Sequence, residues 1–187
     1  MSSRRTLIAV FFSALTFSLA ASAGLTSIES GKYKVEGAAK PKIGPRLKFD
    51  GKGVVTAKED GGKFVFVADL KDKLDMGERN EHTKEDFKCK EHPKATLVID
   101  KGAIKMPEDN KVEKGEVTGQ LTLRGKTNPV KVSYVVKRTG SDYHVKDASF
   151  TFDYTKFGME PICRFGKTIC VESSVKITVH GLKLRDK

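Results

Sequence analysis

Apolar and polar residues alternate along most of this chain, and the alternation predicts β-strands, whose successive side chains point to opposite faces. Lys63 to Leu70 places Phe64, Phe66, Ala68 and Leu70 on one face and Val65 and Val67 on the other. Ala95 to Ile99 puts Ala95, Leu97 and Ile99 in phase, and Gly102 to Met106 reads as its extension. Glu116 to Arg124 sets Val117, Leu121 and Leu123 against Thr118, Gln120 and Thr122. Pro129 to Arg138 alternates through Val130, Val132, Tyr134 and Val136, and Tyr143 to Tyr154 through Ala148, Phe150, Phe152 and Tyr154. Val171 to Leu182 closes the pattern. Nearer the start, Lys32 to Gly53 reads as a strand broken by a turn at Pro41, Gly44 and Pro45, continued by Val54 to Ala57. Gly24 to Gly31 reads as a polar lead-in. Roughly eight strands separated by turn signals predict an all-β sandwich or barrel.

One stretch breaks the alternation. Leu74 to Pro93 is charged and helix-permissive, and Glu78 to Lys90 is predicted as the one short helix. Thr83 to Asp86 near its front is compatible with a capping arrangement. A long polar interruption in an all-β chain is commonly a lid or a functional loop. Here it is expected to cap one end of the barrel.

The first 23 residues read differently again. Arg4 and Arg5 precede an apolar run from Leu7 to Leu19, and Ala21-Ser22-Ala23 offers a small-residue cleavage site. The run is short for a bilayer span, and the pattern predicts a secretory signal at 1–23 and a single domain at 24–187. The Ser3-Arg4-Arg5 start partly resembles a twin-arginine signal, but Sec export fits better. No cysteine stands at the cleavage site to receive a lipid anchor. Of the 187 residues, removal of 23 leaves 164, enough for one core. The remainder keeps a net charge of +9, since the signal holds two of the 35 basic residues and none of the 24 acidic ones. In an exported protein that charge admits transient contact with an anionic membrane surface rather than nucleic acid, although spread lysines also serve solubility.

Export permits disulfides. Cys163 and Cys170 flank a glycine-containing segment that reads as a hairpin tip, so a cross-strand bridge is expected there. It would close a loop of about eight residues, worth roughly 2.5 kcal/mol by chain entropy. Cys89 is left packed or free. The catalytic inventory is poor: no G-x-S-x-G, no P-loop and no H-E-x-x-H. His82, Cys89 and His92 lie close in sequence, but their spacing matches no metal pattern. Cys89 beside a histidine lacks an orienting third group. No enzyme, no metal and no cofactor are expected. A barrel of this size either fills its interior or holds one small apolar ligand.

Three stretches resemble the YceI-like family. Leu74-Asp75-Met76-Gly77, Arg79-Asn80-Glu81-His82, Phe87 and His92-Pro93 are similar to its LDTG–RDxH–F–YP segment, with Met76 for Thr and Asn80 for Asp. Gly119 to Val130 is similar to G-x-L-T-L-H-G-V-T-K-P-V, with Arg124 for His, Lys126 for Val and Asn128 for Lys. Lys156-Phe157-Gly158-Met159 ends a stretch similar to R-x-x-F-G-I. The family's long first hairpin is shortened here to Tyr33–Gly53. The resemblance implies an exported, periplasmic, antiparallel up-and-down (lipocalin-like) β-barrel that binds a polyisoprenoid or similar hydrophobic lipid. Phe64, Phe66, Leu97, Leu121, Leu123, Val132, Tyr134, Phe150 and Phe152 are then the expected ligand-facing side chains. Arg79, His82 and Phe87 become a structural cap, with Phe87 plugging into the apolar interior, so that its loss should cost a few kcal/mol. The alternative is a solid-cored envelope or stress protein acting through its basic surface or a protein partner.

Overall fold

The computed structural model describes residues 24–186; the expected signal at 1–23 lies outside them. Twelve strands form one antiparallel sheet: β1 (Leu25–Glu29), β2 (Gly31–Pro41), β3 (Leu47–Asp60), β4 (Lys63–Asp69), β5 (Lys94–Asp100), β6 (Val112–Leu123), β7 (Lys126–Thr139), β8 (Asp142–Asp153), β9 (Cys163–Arg164), β10 (Ile169–Val171), β11 (Ser174–His180) and β12 (Leu182–Asp186). The ring runs β2-β3-β4-β5-β6-β7-β8-β11 and returns to β2, which closes an eight-stranded up-and-down barrel. β1 and β2 are two halves of one path, and so are β11 and β12. The second path bends at Gly181, whose φ of +70° favours a residue without Cβ. Beyond the bend β12 pairs with β1 (Thr26 with Arg185) and with β8 (Lys183 with His144), while β11 holds β2 (Val179 with Tyr33) and β8 (Ile177 with Phe150).

Several strand limits differ from the sequence pattern. Gly24–Gly31 contains β1, whose alternation is too short to stand out and of which only Leu25 is buried. The stretch after Ile99 turns through a short 3-10 segment, Lys101–Ala103, instead of extending β5. β6 begins at Val112, because Val112 to Gly115 pair with Lys137 to Tyr134 although their side chains are mostly polar. The helix α1 spans only Asn80–Asp86, after a 3-10 turn at Gly77–Arg79, and its start has no side-chain cap. The Asn80 carboxamide oxygen instead accepts from the Met76 N–H at 2.5 Å.

The interior divides along the barrel. At one end Leu25, Ala57, Phe64 and Leu184 are all buried and fill the space between strands. There the Arg185 guanidinium (Nε to Oδ1, 2.6 Å) and Lys183 (Nζ to Oδ2, 3.1 Å) clasp Asp142 and hold its carboxyl far below the usual carboxylate range, which fastens β12 to the start of β8. Along the barrel three aromatic rings lie across glycines directly opposite on the next strand: Tyr33 over Gly53, Phe49 over Gly37 and Tyr134 over Gly115. A side chain at any of these glycines would collide with the ring, which accounts for glycine inside long strands.

Candidate functional site

The other half of the barrel is hollow. A cavity of about 580 Å³ opens at the end where β2 turns into β3 and α1 lies, and it reaches as deep as Val136, Val145 and Leu182. Its wall is overwhelmingly apolar, and its volume falls within the range of small-molecule pockets, about 300–1,000 Å³. Eight of the nine expected ligand-facing residues line it: Phe66, Leu97, Leu121, Leu123, Val132, Tyr134, Phe150 and Phe152. Phe64 does not. It keeps the inward phase of Phe66 but sits toward the filled end, 2% exposed. Alternation gives the face a residue points to, not its height along the barrel axis.

Phe66, Ala68, Ala95, Ala148, Phe150 and Ile177 point inward in phase, yet are only half-buried. They border open volume rather than packed neighbours. The sequence reading missed other wall residues: Tyr33, Val35 and Val179 near the seam, Leu74 and Met76 from the capping segment, and Ile162, Ile169 and Val171 from the cysteine hairpin. Tyr33 and Val35 were visible as a period-two pair, as were Ile177 and Val179. The hairpin gave no such signal.

Cys163 and Cys170 are joined by a disulfide that closes the β9–β10 hairpin. β10 takes over the edge of β2 where β11 has ended, pairing Ile169 to Val171 with Pro41 to Ala39. The Tyr154 hydroxyl anchors this segment by donating to the Val171 carbonyl at 3.0 Å and accepting from the Ile162 N–H at 3.2 Å. Arg164 then reaches across the mouth to Asp86 on α1 at 2.7 Å. The tie from helix to barrel is therefore this pair, which lies 78 positions apart in the chain and left no local trace in it.

The expected cap residues all border the cavity. Phe87 is half-buried against the core. Arg79 sits over the Phe49 ring, 5.8 Å from its centroid. His82 is exposed, with Nδ1 3.9 Å from Glu85 on its own helix. With Thr83, Asp86 and Arg164 they give an apolar tube a polar mouth. His82, Cys89 and His92 are not brought together: Cys89 is buried, with its thiol pushed up by burial, and His92 packs against Gly125. Among the described residues no cluster of three metal-ligating side chains is present.

Of the three buried tyrosines that line the cavity, Tyr134 accepts from the Lys105 N–H at 3.0 Å and Tyr154 is doubly bonded. The Tyr33 hydroxyl has no hydrogen-bond partner among the described residues. Burial, aided by Asp69, holds its proton well above the usual tyrosine range. The unfolded chain ionises this group near pH 10 while the folded chain does not, so stability falls as pH rises above that value. Tyr33→Phe is expected to raise stability at neutral pH by about 1 kcal/mol, by removing an unpaired buried hydroxyl. It should also flatten the alkaline decline. Urea titrations at neutral and alkaline pH check both.

A closed eight-stranded antiparallel barrel with one hollow apolar end defines a lipocalin-like protein. More narrowly, the chain belongs to the YceI-like domain family, whose model matches residues 13–181. A polyisoprenoid binding domain from Saccharophagus degradans, described as implicated in plant cell wall breakdown, has a similar structure: TM-score 0.64, 13% identity, covering 89% of this chain and 99% of that one. BcnA of Burkholderia cenocepacia is similar at TM-score 0.55 and 24% identity, covering 81% and 95%. These likenesses are of fold. No curated protein matches the chain at a significant level.

Proposed function

We propose that the protein is an exported, non-catalytic binder or carrier of an amphiphilic isoprenoid or similar lipid, held by its chain in the barrel cavity. The observation that carries this is the continuous apolar cavity of about 580 Å³ beneath a mouth formed by Arg79, His82, Thr83, Asp86 and Arg164. A prenyl chain offers no polar handle, so it needs such a wall, and a polar head can rest at the rim. Each buried methylene-sized unit contributes about 0.8 kcal/mol. Three isoprene units would supply about 12 kcal/mol on that scale, comparable to the roughly 4–15 kcal/mol that association costs, so affinity should rise steeply with chain length. The polyisoprenoid binding of the S. degradans domain is consistent with this ligand class. The disulfide is consistent with an oxidising compartment such as the periplasm. The hollow interior supports this reading over a solid-cored alternative.

The test is native purification from the cell envelope, organic extraction and mass spectrometry, with titration of prenyl alcohols of increasing length. A co-purifying isoprenoid, or affinity that rises with chain length, is expected. Neither appearing would overturn the reading.

A further inference from the structure

We propose that the mouth of the barrel docks on an anionic phospholipid surface, with Ile43, Leu47 and Phe165 entering the bilayer interface and the surrounding lysines engaging lipid phosphates. This rests on the reading of the cavity as a lipid site and names the partner from which that site is filled. Five large apolar residues are conspicuously exposed among the described residues, and three of them stand at the mouth: Ile43 (94%), Phe165 (80%) and Leu47. Leu47 and Phe165 are also part of the cavity wall, so the apolar surface continues from outside to inside. The two loops that carry them are held side by side, the Lys42 N–H donating to the Thr168 carbonyl at 2.9 Å and Pro41 pairing with Ile169.

The two loops that carry these tips hold basic residues and no acidic ones. The stretch 40–48 carries Lys40, Lys42, Arg46 and Lys48 and no acid, and the cysteine hairpin adds Arg164 and Lys167. Arg46 is committed to Glu172 and Arg164 to Asp86. Lys40, Lys42, Lys48 and Lys167 are exposed and form no ion pair among the described residues. The helix side of the mouth differs, with Glu78, Glu81 and Glu85 exposed, so docking would occur on the hairpin side. The loops at the opposite end mix Asp60, Glu108 and Asp109 with lysines.

Single apolar residues on two loop tips, each flanked by cations, suit an anionic membrane interface better than a protein. Three side chains fall well short of the roughly 1,200 Å² that a stable protein interface buries. Lysines near an anionic surface each strengthen attachment about fivefold, with an effect that salt screens. A chain leaving the bilayer between these tips enters the cavity without crossing water.

The experiment uses residues 24–187, which contain every strand of the barrel, and vesicles of phosphatidylcholine with or without phosphatidylglycerol. Sedimentation should show at least tenfold stronger binding to the anionic vesicles, reduced by salt. Ile43→Ser, Leu47→Ser and Phe165→Ser combined should lose at least tenfold while leaving the melting temperature within a few degrees. Lys40, Lys42, Lys48 and Lys167 changed to glutamine should remove the preference for anionic vesicles. The chain has no tryptophan, so Phe165→Trp reports insertion by a blue-shifted emission, and Ser141→Trp at the far end should not shift. Absence of vesicle binding, or full binding by the triple variant, overturns the proposal. So does self-association of the unaltered chain that the triple variant abolishes, which would assign the tips to a second copy. A chain that binds vesicles through these residues but no prenyl alcohol would keep the docking surface and defeat the lipid-cavity reading instead.

Discussion

Phe157→Ala is expected to cost about 3–5 kcal/mol, as for other fully buried aromatics truncated to alanine. The residue is 2% exposed and meets the Phe152 ring edge-on, with centroids 5.7 Å apart and planes at 90°. It closes the short 3-10 turn Tyr154–Phe157 that follows β8, and Gly158 ends that turn at φ +73°. Next to it, Tyr154 holds the cysteine hairpin through two hydrogen bonds. A cavity at Phe157 would therefore loosen both the end of β8 and the hairpin that walls the mouth. Since small domains have only about 5–15 kcal/mol of stability in total, a large share would go. Phe87→Ser provides the comparison. The sequence pattern makes Phe87 the plug of the cap, but it is half-buried and borders the open cavity, so fewer neighbours are lost with it. Its cost should be about 1–2 kcal/mol, below the roughly 3–5 kcal/mol of a fully buried aromatic. Urea unfolding of both variants with the disulfide intact checks the order. Equal costs would mean that the cap, rather than the turn after β8, is the packing anchor.

The same two phenylalanines show what the sequence could convey. Period-two alternation located the long strands, because each has one wet face and one dry face that a single register satisfies. It also gave the correct inward phase for all nine expected ligand-facing residues, since even Phe64 points inside. Height along the axis was not legible, because filled and hollow layers of a barrel use the same apolar residues. β1 was lost for a related reason: it is short, and most of its pairing is with β12 from the far end of the chain. The cavity mouth was least legible. Its parts come from the β2–β3 turn, α1 and the cysteine hairpin, and what joins them is Arg164 with Asp86, the short pairing of β10 with β2 and the backbone bond from Lys42 to Thr168. Contacts of that separation leave no periodicity.

Filling the cavity is expected to abolish binding of a prenyl chain while leaving the barrel folded. Ala68 on β4 and Ala148 on β8 are small, half-buried wall residues on different sides of the ring. Replacing both with tryptophan places two ring systems, each able to bury about 150–250 Å² of surface, in the volume a ligand would use. In a packed core such changes would force strain of about 1–3 kcal/mol each. Here the added atoms enter a space of about 580 Å³, so the net change in stability should stay within about 1 kcal/mol. Affinity for a long prenyl alcohol should fall at least 100-fold. Each pair of methylene-sized units displaced removes about 1.6 kcal/mol, more than a factor of ten, and two indoles displace several. Fluorescence competition and calorimetry measure the affinity, and thermal melting measures the fold. Retained affinity in a folded double variant would place the lipid outside the barrel. Loss of both fold and affinity in the double variant would be resolved by the single substitutions, each of which should weaken long chains more than short ones, because only long chains must reach past the obstruction, toward Leu97 beyond residue 68 and toward Val136 beyond residue 148.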